Sequence, residues 1–497
     1  MIMHLSSTIR LSILVSGLGS LLMIGSVVWA DVPATNPSNS VDARLEQEAA
    51  RSAADALRVG NAYFNGTDGA TKDFAKAMTY FLEASDEGNA VAMRHVGYLY
   101  DEGLGVAQNY RQAVAWWQKA LGAGDATSAR NIGILYTLGH GVAQDYQQAM
   151  AWYLKAVDKG DTGAMNNIAV LYEQGQGVPQ DFQQAMAWFQ KAADAGNAGA
   201  MKSVAIMYEQ GKGVARDYKQ ALLWWRKAAD AGDKFAVRHV GYFYQHGMGV
   251  TQDYQQAMAW YLKAADAGEL SSMEGIAFLY AEGDGVAKDS ALAVAWLRKA
   301  ADAGDAGAMA DLGECYFHGD GVGQDYVQAM AWWEKGANAG NAVAMRCIGM
   351  MYDRGQGVTQ DYHQAMTWYR KAADAGEPEA MTAIGELYYD GHGVMDYQQA
   401  MDWFRRAAHA GDVRAMVYVG ILYQRGQGVA QDDQRALQWW QEAADAGDAG
   451  AMYRIGLVHE CGEGVPPDIV QAIQWYHKAA ALGNQDAKNR LATLNAQ

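Results

Sequence analysis

The chain has 497 residues, half of them hydrophobic and 19% charged, so it holds ample material for a core and is not a disordered polymer. Asp and Glu outnumber Lys and Arg by 56 to 39, for a formal charge of −17, which speaks against a nucleic-acid partner because phosphates need a basic face. Only 6 residues are Pro while 56 are Gly, so few positions break a helix and the glycines must act as punctuation.

Residues 1–30 read as a secretory signal. Arg10 supplies the positive start, Leu11 to Val28 an apolar stretch, and Val28-Trp29-Ala30 the small residues that signal peptidase reads. Cleavage after Ala30 is expected, which places the mature chain in the periplasm or outside the cell, with no membrane span remaining. Retention as an anchor is the other reading; Gly17, Gly19 and Gly25 count against a stable span. Residues 31–44 form a short polar spacer with two of the prolines.

From residue 45 to 483 one period governs the chain. The second glycine of a G-x-G-V turn falls at Gly105, Gly141, Gly177, Gly213, Gly249, Gly285, Gly321, Gly357 and Gly393, each 36 residues after the last. The step then shortens to 35 at Gly428 and returns to 36 at Gly464, while a degenerate first copy ends at Gly69. That makes twelve copies. A period of 20–50 residues marks a solenoid, whose units are too small to bury their own faces and must stack on neighbours.

Each copy carries two helices. In the fourth, Asp181 is an N-cap with Gln184 at the third helical position, which starts helix B; Ala185, Met186, Phe189, Ala192 and Ala193 form its apolar stripe. Gly196 ends it and Asn197 caps the following helix A, where Ala200, Met201, Val204 and Tyr208 share a face. The predicted fold is all-α: a solenoid of about twelve 36-residue antiparallel helix pairs. Residues 484–497 are predicted to close the array as a polar capping helix.

Trp recurs at one slot of helix B, at Trp116, Trp152, Trp188, Trp224, Trp260, Trp296, Trp332, Trp368, Trp403, Trp439 and Trp475. A sugar-stacking stripe would look similar, but repetition in every unit points to a shared packing role in the core. The Tyr series from Tyr100 to Tyr423 reads the same way. The three cysteines, Cys315, Cys347 and Cys461, are too few and odd in number for a disulfide framework. Cys315 and Cys347 lie in corresponding helices of adjacent copies, so they either pair or fill core slots.

No S-x-x-K, K-T-G, G-x-S-x-G or H-E-x-x-H motif occurs. The G-x-G-V turns lack the Lys-Ser/Thr of a phosphate loop, and His140, His246, His318 and His392 are scattered over separate turns. No catalytic, cofactor-binding or metal-binding residue is therefore assigned.

The composite unit A-x-x-[IV]-G-x-L-Y-x-x-G-x-G-V-x-x-D-Y-x-Q-A-M-x-W-[YF]-x-K-A-A-x-x-G resembles the Sel-one-like repeat, a relative of the tetratricopeptide repeat, over about nine tenths of the chain. The resemblance implies a right-handed superhelix with helix A on the concave side. It also implies an adaptor that holds protein partners or peptide segments, as exported bacterial members do in envelope regulation, secretion and host interaction. A cysteine-rich branch has been linked to penicillin binding, and its cysteine pattern is missing here. Carbohydrate or cell-wall binding is the alternative function, and a penicillin-recognising enzyme a distant third.

Aligning the helix A glycine with its tetratricopeptide counterpart gives the expected groove slots. Three residues before it stand Arg94, Arg130, Asn166, Lys202, Arg238, Glu274, Ala310 and Arg346; one after it stand Tyr98, Ile134, Val170, Ile206, Tyr242 and Phe278. Four or five after it come Asp101, Glu102, Glu173, Glu209, Glu282 and Asp353. The expected partner-binding residues are Arg94, Tyr98, Arg130, Lys202, Arg238, Tyr242, Phe278 and Arg346, a cross-section suited to a peptide of mixed charge.

Overall fold

Helices begin where an acid, an amide or, at Ser52, a hydroxyl can take the loose N–H groups of a first turn. Asp181 accepts from the Gln183 and Gln184 N–H groups at 2.9 Å and starts helix B Phe182–Asp194. Asn197 accepts from the Ala200 N–H at 2.9 Å and starts helix A Ala198–Gln210. Each such cap contributes about 1 kcal/mol. The same chemistry recurs along the chain, with two departures: Leu270 and Glu377 stand at N-caps without a side-chain cap bond.

The computed structural model describes residues 44–45, 48–49, 52–392 and 395–494. The expected signal segment, the 31–43 part of the spacer and Gly393 lie outside the described residues. Among those described there are 25 helices between Ala53 and Leu494 and no strand. The protein is an all-α array in which A and B helices alternate. It divides into two compact units, one ending at Glu269 and one beginning at Leu270. The first holds six helix pairs, from Ala53–Asn65 to Tyr254–Asp266; the second holds six, from Ser271–Glu282 to Ile469–Ala481, and the final helix Gln485–Leu494. Within each unit helix A packs on helix B of its own repeat, and helix B on the next helix A.

Two glycines of the motif have different steric reasons. Gly105 has φ of 68°, and a Cβ there would sit 2.6 Å from the backbone of Phe74 and Ala75, at the start of the preceding helix B. The turn thus lies directly on the previous repeat, which is why its glycine keeps the 36-residue beat. Gly97 is helical, and a Cβ there would lie 2.5 Å from the indole of Trp117. It is the socket into which helix B inserts its deepest side chain.

That deepest side chain is one residue beyond the repeated Trp. In the first unit Phe81, Trp117, Tyr153, Phe189, Trp225 and Tyr261 are buried, and in the second Leu297, Trp333, Tyr369, Phe404, Trp440 and Tyr476. The Trp series itself is mostly half-buried at the edge of the core; Trp224 and Trp332 alone among the eleven are fully covered. The side chain three residues on, nearly always Lys, lies over its ring: Lys119 on Trp116 at 4.1 Å, Lys227 on Trp224 at 3.7 Å, Lys371 on Trp368 at 3.9 Å, and Arg406 on Trp403 at 4.0 Å. Only Trp439 in the series has an acid, Glu442, at that position. The packing role expected of these tryptophans holds, at the rim rather than the centre.

Cys315 and Cys347 are buried and unbridged, while Cys461 is exposed. Burial pushes both buried thiols up to about 12, so they fill apolar slots as inert groups. The final helix Gln485–Leu494 buries Ala487 and Leu491 and turns Gln485, Asp486, Lys488 and Asn489 to solvent.

Candidate protein-binding face

Consecutive A helices touch along one face of each unit. In the first unit Phe64 and Tyr98 bring their rings to 6.0 Å across one such junction, and Glu209 and His239 approach to 3.8 Å across another. The slots expected to line a groove fall on this face.

The basic slot forms a ladder of cross-repeat ion pairs. Arg94 meets Asp125 at 3.2 Å, Arg130 meets Asp161 at 3.4 Å, Lys202 meets Asp233 at 3.4 Å and Arg238 meets Glu269 at 3.3 Å. In the second unit Arg346 meets Glu377 at 3.3 Å and Glu379 at 3.4 Å. Each acid stands at the N-terminus of the following helix A, 31 residues on for the nearest partners. Within a unit the basic residue therefore ties one helix A to the start of the next, and its charge is largely neutralised where it stands. Burial raises the Glu377 carboxyl, with Arg346 acting in the opposite direction.

The apolar slot is half-buried on every helix of the first unit from Tyr98 through Ile134, Val170 and Ile206 to Tyr242, and Phe278 is half-buried in the second. Tyr242 also lies 4.3 Å from the His246 ring, at a tilt of 53°. Beneath this stripe sit two histidines. His95 lies flat on Phe81 at 4.8 Å, and burial pulls it down to about 4. His239 lies among Trp225, Phe235 and Phe243, and burial, with Arg238 beside it, pulls it down to about 3. Both are neutral at neutral pH.

The acidic slot divides in a way that single helices did not reveal. Its side chain often accepts a hydrogen bond from the deep helix B aromatic 16 residues on. Trp225 Nε1 donates to Glu209 at 3.3 Å, the Tyr261 hydroxyl donates to Gln245 at 2.6 Å, and Thr137 and the Tyr153 hydroxyl lie 2.8 Å apart. In the second unit the Tyr369 and Tyr476 hydroxyls donate to Asp353 at 3.3 Å and Glu460 at 2.6 Å. Where the slot is not used, a deep Trp donates to a backbone carbonyl instead, as Trp117 does to Arg94 at 3.1 Å. Glu209 and Asp353, read from sequence as groove acids, are thus acceptors for the core. The pairing of an aromatic donor with a polar residue 16 positions earlier was the signal for it.

Among the described residues no group of three or more His, Cys, Asp or Glu side chains is placed to hold a metal ion, and no helix is long and apolar enough to cross a membrane.

The Sel1 repeat family model matches twelve consecutive segments that cover residues 53–233 and 235–484. The chain belongs to the Sel1 repeat family. Its twelve helix pairs are twelve Sel1 repeats, and such repeats serve generally as scaffolds for protein interaction. Among solved structures it is similar to c5321, a protective antigen of uropathogenic Escherichia coli with an SLR fold, at 31% identity over 84% of this chain and 90% of that one, with a TM-score of 0.49. It is also similar to a Sel1 repeat protein of Oxalobacter formigenes, at 30% identity over 62% of this chain and 90% of that one, with a TM-score of 0.45. No curated protein matches the chain.

Proposed function

We propose that this Sel1 repeat protein is an exported, non-enzymatic scaffold that holds segments of partner proteins along the face formed by its A helices. The observation that carries the reading is the apolar stripe Tyr98, Ile134, Val170, Ile206 and Tyr242. It recurs once per repeat on five successive A helices and remains half-exposed although the core beneath is already filled by the helix B aromatics. A repeated apolar stripe lets many weak contacts add along an extended partner. Export rests on the signal read in residues 1–30, so the partners belong to the cell envelope or beyond it.

The carbohydrate reading has less support, because lysines lie over the Trp rings whose faces a sugar would need. The test is cross-linked capture from an envelope extract, comparing the wild type with Ile134→Asp combined with Ile206→Asp. The variant is expected to keep its helical circular dichroism and lose the captured proteins. Retention of the same proteins would overturn the reading.

A further inference from the structure

The chemistry of the partner can be read from which charges on the A face have work to do within the fold. Arg94, Arg130, Lys202 and Arg238 are each paired with an acid 31 residues further on. His95 and His239 are neutral at neutral pH. The basic rim of the first unit therefore offers little net charge to a ligand.

The acidic rim is different. Glu209 accepts from Trp225, and the equivalent Thr137 and Gln245 bond to Tyr153 and Tyr261. Asp101 and Glu173 occupy the same slot with no such duty. Opposite Asp101 stands Trp117, whose N–H is already donated to the Arg94 carbonyl, and opposite Glu173 stands Phe189, which has no donor.

Stability alone disfavours carboxylates at these two positions. Both lie in the last turn of a helix A, Ala90–Glu102 or Thr162–Gln174, where the negative end of the helix dipole repels them. One Asp101 carboxylate oxygen is buried without a hydrogen-bond partner. Burial, with Glu102 adding to it, pushes the Asp101 carboxyl up to about 6, and His140 of the next turn acts in the opposite direction. Burial also raises Glu173, against Lys212 of the next turn. Tyr98 is raised in turn by burial, Glu102 and Asp101.

Tyr98 and Asp101 are three residues apart and Val170 and Glu173 likewise, so each acid shares a helix face with the apolar stripe. Resting on the scaffold reading above, we infer that the first unit takes a cationic, apolar segment of a partner protein. Its Lys or Arg side chains reach Asp101 with Glu102 and Glu173, while its apolar side chains lie along Tyr98, Ile134 and Val170. The spacing follows from packing. Asp101 and Glu173 are two repeats apart, about 20 Å at a helix spacing of about 10 Å, which an extended chain covers in about six residues. The chain's net charge of −17 also draws cationic segments toward it.

The test uses fluorescence anisotropy of three labelled peptides on the full chain. They share one apolar pattern and carry Lys, Gln or Glu at two positions six residues apart. The Lys peptide is expected to bind about tenfold more tightly than the Gln peptide, and the Glu peptide more weakly than either. Asp101→Asn combined with Glu173→Gln should erase the Lys preference and leave Gln-peptide affinity in place, while thermal melting stays the same or rises slightly because two disfavoured carboxylates are gone. The preference should also shrink in high salt and as pH falls below 6, where Asp101 gains its proton. Equal binding of the Lys and Gln peptides, or a preference that survives the double variant, overturns the inference and leaves the scaffold reading standing. Binding of none of the three also overturns it, and the envelope-capture comparison then decides the scaffold reading independently.

Discussion

Gly97→Ala is a sharp test of how the repeats interlock. The new methyl would lie 2.5 Å from two atoms of the buried Trp117 indole, about 1 Å inside ordinary contact. The ring must move, at an overpacking cost of about 1–3 kcal/mol. Movement also weakens the 3.1 Å bond from Trp117 Nε1 to the Arg94 carbonyl, worth about 1 kcal/mol. Against these, Ala gains about 1 kcal/mol of helix propensity over Gly. The net expectation is a loss of about 2 kcal/mol. The fifth repeat shows where the ring goes: Ala205 stands at the socket position there, and Trp225 gives its N–H to Glu209 rather than to a carbonyl. Trp117 in the variant should likewise turn toward Asp101. Gly122→Ala is the control, because nothing lies within 4 Å of its Cβ position and it should be neutral or slightly stabilising. Urea unfolding, with hydrogen exchange followed across residues 90–125, measures both. A Gly97→Ala protein as stable as the wild type would refute the socket argument.

Arg238→Glu should be more damaging than Arg94→Glu, because the Arg238 side chain is 8% exposed against 29% for Arg94, and each reversal sets an acid against the acid it formerly paired. A loss of about 3–5 kcal/mol is expected for the former; equal melting temperatures for the two variants would count against the cross-repeat ladder. Lys335→Ala should cost about 0.5–1 kcal/mol by uncovering Trp332, over which Lys335 lies at 3.7 Å, and should raise acrylamide quenching of tryptophan fluorescence. The pH dependence follows from His95 and His239. Their folded values are depressed to about 4 and 3, so the unfolded chain binds more protons below about 6.5. Their contribution is fully present above that pH and is lost as pH falls toward 4 and 3. Arg238 adds to the depression of His239, and Glu209 lies 3.8 Å from its ring. His239→Phe should flatten the fall in melting temperature over that range; an unchanged slope would mean that another group governs it.

Helix boundaries were legible because cap residues and turn glycines act locally, and Asp181, Asn197 and Gly105 mean the same thing in sequence and in structure. What was not legible depended on neighbours. Strict repetition drew attention to the Trp series, yet the deepest slot, next to it, holds Trp, Tyr, Phe or Leu by turns and so repeats as a large apolar side chain rather than as one residue. Its constraint is size against the facing socket, as with Trp117 and Gly97. The basic slot looked like a binding stripe because each helix A was read alone. Its partner lies in the following repeat, and the sequence does carry the correspondence: Arg94, Arg130 and Lys202 precede the acidic caps Asp125, Asp161 and Asp233, whereas Asn166 and Ala310 precede Asn197 and Asn341. Glu274, Thr382 and Val417 depart from it; Thr382 answers Asp412 with a hydroxyl bond of 2.8 Å.

The central claim is that the A face is the surface that partners occupy. Site-specific photo-cross-linking tests it most directly, with a photoreactive phenylalanine analogue placed at Tyr98 or Tyr242 on the A face, or at the exposed Leu154 on helix B, and irradiated in an envelope extract. Discrete protein adducts are expected from Tyr98 and Tyr242 and none from Leu154. Adducts from Leu154 alone, or equally from all three positions, would contradict it.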